Sequence, residues 1–395
     1  MTTKLRAVSF QDNAVTTAKI AADAVTNAKI ASTVNLGRRN LIINGAMQIF
    51  QRGSATFNHN ATSTANLYGL DRFQFQSAAL DELEGTITQV ADAPVGFANS
   101  LKWTTTEPES AIAANELFDC SQKIEAQNLQ QLAFGTSSAK KLTLSFYVKS
   151  SVTGTFAINI FKADSTARQL TSTYTISSAN TWEQKTIIIP ADTDSSGTIA
   201  DDNGEGFRIS WHIAAGSNFT SANNALTWTD YADGGWAYGH AQNGVATTDN
   251  ATWQLTGVQL EVSDEATPFE HRSFGEELQL CKRYFQVLAD GSRSQNEAIC
   301  AGAYYTASIL FHSVVLPVEM RSKPTMVTTN GTNYYITFSN GGGDHHDAIA
   351  RSGNSSKSVV EITAETNVGG TSGHACFTRI GGTSSDAKCM LDAEL

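Results

Sequence analysis

The chain has 395 residues, a formal net charge of −11 and only 16% charged side chains. That length suggests roughly two or three domains, and the scarcity of lysine and arginine argues against a nucleic-acid partner, whose phosphates need clustered positive charge. No run approaches the ~18 apolar residues of a membrane span, and the opening "MTTKLRAVSF" lacks the apolar centre of a signal peptide, so neither membrane insertion nor ordinary secretion is expected.

Residues 1–39 carry a repeat: "AVTTAKIA" at 14–21 returns as "AVTNAKIA" at 24–31. Read as strand or as helix, neither copy offers an apolar face large enough to offset the entropy of ordering it alone. Such units order against something else, and copies meeting around an axis would give Val15, Ile20, Val25 and Ile30 partners. A disordered tail is the alternative.

Residues 40–272 read as all-β. In "KKLTLSFYVKSS" (140–151) Leu142, Leu144, Phe146 and Val148 share one face, and in "GTFAINIFKA" (154–163) Phe156, Ile158 and Ile160 do the same. The break between them reads as a hairpin connection. "NTWEQKTIIIPAD", "GEGFRISWHIAAG" and "ATWQLTGVQLEV" add strands. In the last, Trp253, Leu255, Gly257, Gln259 and Glu261 fall on one side of a regular strand. Many short strands with polar turns predict a jelly-roll β-sandwich.

A helix is predicted next. In "SFGEELQLCKRYFQVL" (273–288) Ser273 and Glu276 form a capping box. Phe274, Leu278, Cys281, Phe285 and Leu288 follow as a heptad-like stripe. Residues 273–290 are therefore expected as a trimerising helix, with Leu278, Cys281 and Phe285 towards a common axis. Residues 291–395 return to strands, as a smaller C-terminal β-sandwich. The five cysteines, Cys120, Cys281, Cys300, Cys376 and Cys389, are scattered and include no CxxC pair. Buried thiols made in a reducing cytoplasm are expected.

"NLIINGAMQIFQRG" (40–53), "LYGLDRF" (67–73), "WQLTGVQLEVSDEATPFEHRSFGEELQLCKRYF" (253–285) and "LPVEMRSKPTMV" (316–327) resemble the frame of a recurrent domain of bacteriophage tail fibres. The tandem repeats are similar to units found in front of such modules. The resemblance implies a mainly β, trimeric fibre of the virion, with a jelly roll like a carbohydrate-binding module. Its partners would be itself, as a homotrimer, a phage tail or particle protein through residues 1–39, and a host surface polysaccharide. It would be made in the host cytoplasm and need no cofactor.

Candidate chemistry is thin. The doublets Asp201-Asp202, Asp264-Glu265 and Glu276-Glu277 do not by themselves set two carboxyls across a sugar, so no catalytic residue and no enzyme activity are expected. Asp71, Asp264, Glu265 and Glu270 either hold a structural calcium or make ordinary salt bridges; which metal, if any, is bound stays unknown. "GGGDHHDAI" (341–349) reads as an exposed tip, with Asp344, His345, His346 and Asp347 as glycan, receptor or metal contacts. "LTWTDYADGGWAYGHAQNG" (226–244) gathers Trp228, Tyr231, Trp236 and Tyr238, which either stack on sugars or pack the sandwich. The expectation leans to the 341–349 tip, as the end furthest from the anchor. Two further readings stay open: a head-decorating or purely structural particle fibre, and a glycan-degrading tailspike.

Overall fold

A computed structural model describes residues 38–59, 67–241, 244–294, 296–382 and 385–395. Val15, Ile20, Val25 and Ile30 lie outside the described residues. The larger body contains β1 (Ala55–Asn58), β2 (Leu67–Tyr68), β3 (Gln74–Ala78), β4 (Glu84–Val90), β5 (Ser100–Glu107), β6 (Leu117–Glu125) and β7 (Leu142–Ser150). It continues with β8 (Gly154–Lys162), β9 (Arg168–Ile176), β10 (Glu183–Ile189), β11 (Glu205–Ala215), β12 (Thr229–Asp230) and β13 (Thr252–Glu261). One sheet has the order β1-β4-β5-β13-β7-β10 and the other β12-β9-β8-β11-β6-β3-β2.

The two sheets are held face to face by the predicted apolar alternation. Leu142, Leu144, Phe146 and Val148 of β7 and Phe156, Ile158 and Ile160 of β8 are all fully buried. Phe146 meets Trp211 of the opposite sheet at 5.9 Å, and Trp103 lies 4.6 Å from Phe118. Each such ring stabilises the fold by about 1.5–3 kcal/mol through burial. Trp253 reaches across the core and donates from Nε1 to the Tyr174 hydroxyl at 3.1 Å.

Two local expectations fail here. The connection after Ser150 is not a hairpin, because β7 pairs with β10 and β13 while β8 pairs with β9 and β11. It arches from one sheet to the other, so both apolar faces meet in one core. In β13 a register shift between Thr256 and Gln259 breaks the alternation. Trp253 and Leu255 face inward, and after the bulge Val258 and Leu260 do. Gly257 makes this possible with φ +61, a conformation unfavourable to side chains.

α1 (Phe274–Lys282) follows, capped by the Ser273 side chain, which accepts from Glu276 N. The helix stops at Lys282 and not near Leu288. Phe285–Asp290 is strand β14, paired with the last strand of the chain. Ladder pairing wins over the heptad stripe. Cys281 and Phe285 are buried by their own chain, at 0% and 2% exposure, so they are not available to a threefold seam. Leu278 is half-buried and Phe274 is 59% exposed.

The smaller body adds β15 (Ala298–Thr306), β16 (Ile309–Val315), β17 (Thr325–Thr329), β18 (Tyr335–Ser339), β19 (Gly342–His346), β20 (Ala350–Arg351), β21 (Val359–Ala364), β22 (Ala375–Ile380) and β23 (Lys388–Asp392). Sheets β14-β23-β17 and β19-β18-β22-β15-β16-β21-β20 enclose its own core, which includes Leu310, Tyr335, Ile362 and Leu391.

The bodies meet through charge. Arg283 grips the fully buried Glu125 carboxylate with two 2.7 Å bonds, and Arg72, stacked on the Tyr284 ring, pairs with Glu394. Arg52 reaches Asp392 and Glu394 at 2.8 and 3.1 Å. The chain enters the larger body at this same junction, where Arg38 pairs with Glu276 of α1.

Candidate functional site

The outward face of the seven-stranded sheet is polar where its inward face is apolar. The register sets Asp119 of β6 opposite Gln76 of β3 and His212 of β11, and Lys123 opposite Arg208. Phe161 of β8 faces Arg208. The segment after β11 folds back over part of this face. It is anchored by Gly216 N donating to Glu116 O at 2.8 Å and Ala237 N to Phe219 O at 2.8 Å.

Between sheet and segment lies a cleft of about 410 Å³, lined by Gln76, Ser77, Ala78, Leu117, Asp119, Lys123, Arg208, Phe219, Tyr231 and Trp236. Tyr231 and Trp236 form one wall, edge to face at 5.5 Å, and Phe161 supports Trp236 at 5.2 Å. The Arg208 guanidinium sits 5.8 Å from the Trp236 ring centre and is held by Glu205 at 2.9 and 3.1 Å. Lys123 donates to the Leu395 carbonyl at 2.9 Å, which brings the end of the chain to the cleft's margin.

The outward sheet face carries unused hydrogen-bonding capacity, and of the residues that hold it Asp119 lines the cleft. Asp119 Oδ1, Ser121 Oγ, both amide atoms of Gln74 and Asn159 Oδ1 are buried without hydrogen-bond partners. Each such group costs about 1–3 kcal/mol unless something satisfies it. Burial pushes the Asp119 carboxyl up to about 7, with Arg208, Ser210 and Lys123 pulling the other way. Near neutrality it therefore both donates and accepts. Burial holds His212, beside it on β11, down at about 3, so its ring stays neutral.

Of the predicted aromatic residues, Tyr231 and Trp236 come together here. Trp228 does not: it stacks on Phe207 at 6.1 Å, meets Phe134 at 5.6 Å and donates from Nε1 to Pro190 O at 2.8 Å. It serves packing. Tyr238 is half-buried and outside the cleft lining. Asp119, Lys123, Arg208 and Gln76 were not foreseen, although "FDCSQKIE" and "FRISWHI" place polar residues at every second position, the trace of a polar sheet face.

The 341–349 tip is not a loop. β18 and β19 form a hairpin whose two-residue turn is Asn340 at φ 47 and Gly341 at φ 79, the backbone of a type I′ turn. His346 is completely buried, stacked on Tyr335 and bonded through Nε2 to Thr337 Oγ1 at 2.9 Å, so it is no surface contact. His345 is exposed. Asp347 is occupied by Asn333 N and the Asn367 amide. Asp344 alone of the four lines a shallow pocket of about 220 Å³, beside Tyr304, Thr371 and His374.

The termini of the larger body are closed by ordinary bonds. Glu270 accepts from Arg39 N and Asn40 N at 2.7 and 2.6 Å, and Asp71 accepts from Gln51 N and Nε2 at 2.7 and 2.6 Å. Asp71 is thus held by Gln51. All five cysteines are free thiols, four of them buried.

No family model matches the chain, and no curated protein matches it. Among solved structures, it is similar to the enzymatically active domain of tailspike protein 4 of bacteriophage CBA120. That match has 13% identity over 57% of this chain and 21% of that one, with a TM-score of 0.29. It is similar to a putative sugar binding protein from Bacteroides thetaiotaomicron, at 10% identity over 57% of this chain and all of that one, TM-score 0.30. A tandem CBM22 domain of Xyn10C from Paenibacillus barcinonensis aligns with 91% of this chain and 100% of its own, at 8% identity and a TM-score of 0.26.

Proposed function

We propose that the chain is a non-enzymatic, homotrimeric fibre subunit of a phage virion, attached through residues 1–39. It adsorbs to a host surface polysaccharide through the cleft of its larger sandwich. The observation that carries the binding reading is that cleft, which Tyr231 and Trp236 line together with Lys123, Arg208 and the unpartnered Asp119 Oδ1. Sugar rings present C–H faces that stack on aromatic rings, while their hydroxyls donate and accept. Asp119, Gln76 and Ser77 offer matching partners, and Arg208 and Lys123 add affinity for acidic residues of a glycan. Several fibres per particle turn a weak single-site affinity into firm adsorption.

Affinity electrophoresis through polysaccharide from the host tests this. Trp236→Ala and Tyr231→Ala should each weaken retention about tenfold, the loss of roughly 1.4 kcal/mol of ring contact, while Asp344→Ala leaves it unchanged. Retention that follows Asp344 instead moves recognition to the smaller body. Sedimentation of the full chain tests the trimer, and a monodisperse monomer at micromolar concentration removes it.

One observation favours a second reading. A carboxyl kept protonated near neutrality is what a glycosidase uses as its acid, and Asp119 is such a group. Reducing sugar released from host polysaccharide, and abolished by Asp119→Asn, would make the chain a glycan-cutting tailspike.

A further inference from the structure

At one end of the cleft, β3 and β6 run into two turns that face each other. Asp81 and Glu82 follow β3, and Glu109 follows β5. One oxygen from each lies within 4.8 Å of the others. Two ligands of one calcium ion, each at about 2.4 Å, stand no more than about 4.8 Å apart, so the spacing of the three meets the condition for sharing an ion.

Glu109 supplies the independent observation. It is only 1% exposed. Its Oε1 accepts from Leu83 N at 2.8 Å and Glu82 N at 3.1 Å, which fixes the carboxylate in place. Its Oε2 is buried with no hydrogen bond at all. A buried carboxylate oxygen without donor or cation is strongly unfavourable. Glu82 is held from the opposite side, with Oε2 accepting from Ser110 N at 2.6 Å. Glu116, 4% exposed, adds a fourth carboxyl close by, pushed up by burial and by Glu109, Asp81 and Glu82. The His59 ring also faces Glu82. An all-oxygen, multiply negative set suits a hard cation over zinc or copper.

We propose that Asp81, Glu82 and Glu109 form a calcium site that clasps the β3–β4 and β5–β6 turns together at that end of the cleft. The site braces the recognition surface, because Glu116 O and Ala114 O hold Gly216 and Asn218 at the root of the segment that carries Tyr231 and Trp236. Calcium binding itself requires no glycan, and only the bracing role rests on the binding reading above.

The test is calcium titration of the full chain after chelation, by calorimetry and by melting temperature. One saturable site and a melting temperature that climbs with calcium are expected, with little response to magnesium, which prefers to keep its water. Glu109→Gln retains an acceptor for the two backbone donors and should lose calcium binding. If that variant fails to fold, Asp81→Asn with Glu82→Gln decides, since Asp81 and Glu82 are on the surface; it should weaken binding at least about tenfold. No saturable binding up to roughly 10 mM, above the ~10⁻³ M limit of weak extracellular modules, overturns the proposal. So does calcium binding unchanged in the double variant, or equal stabilisation by magnesium.

Discussion

Single residues at the cleft are placed in conflict with their own chemistry. Asp119 is paired across the sheet with His212, both essentially without solvent, so one carboxyl takes up a proton and one imidazole refuses it. The stability consequences oppose each other. Asp119, raised from 3.8 to about 7, binds its proton more tightly when folded, so its contribution is present at low pH and is lost as pH rises from about 4 through 7. His212 at about 3, with His240 and His312 at about 4, are depressed by burial. The unfolded chain protonates them first, and their contribution falls as pH drops from 6.5 towards 4. His346 is depressed by burial as well, so four imidazoles oppose Asp119 and stability is expected to fall as pH drops through that window. Chemical unfolding at pH 7.0, 6.0 and 5.0 should show the midpoint falling; a midpoint that rises on acidification contradicts it. His312→Asn should flatten the slope by about 1 kcal/mol per pH unit.

Elements hold these residues by turn and bulge chemistry more than by propensity. The β13 bulge lets one strand give Trp253 and Leu255, then Val258 and Leu260, to the same core. It depends on Gly257: a Cβ there would stand 2.7 Å from the Phe97 ring and 2.9 Å from that of Tyr147, at φ +61. Gly257→Ala should cost about 2 kcal/mol or more, read as a lower urea midpoint with unchanged slope. At α1 the interaction is smaller. Ser273 Oγ accepts from Glu276 N at 3.3 Å on the exposed side of the helix, and Ser273→Ala should cost about 1 kcal/mol.

Among the described residues, two sandwiches are joined by a charged seam and not by a shared apolar core. Its centre is Glu394, 5% exposed, which Arg52 and Arg72 share. Arg72 is itself 2% exposed and also donates to Lys123 O at 2.6 Å. Removing Glu394 strands a buried guanidinium, which typically costs about 3–5 kcal/mol. Glu394→Ala should therefore split a single calorimetric unfolding transition into two, the bodies melting separately. One unsplit transition at the original temperature would show that the seam does not couple them. Because Lys123 both lines the cleft and bonds Leu395, the same variant should also alter the cleft's margin.

Whatever depended on near neighbours could be read from the sequence. The inward alternation of β7 and β8, the Ser273 cap and the all-β class follow from side-chain period and local hydrogen bonding. The Asn340-Gly341 pair also carries a hairpin signal, which the reading of 341–349 as an exposed tip left unused. What could not be read was set by pairings distant in the chain. The heptad stripe of 274–288 breaks because Phe285 pairs with Asp392, and the alternating Asp119, Ser121 and Lys123 resemble any solvated face until the segment after β11 closes over them. Periodicity says that a strand has two faces. Only the tertiary structure decides what covers each, since burial and the desolvation that gives Asp119 its chemistry come from residues far apart in sequence.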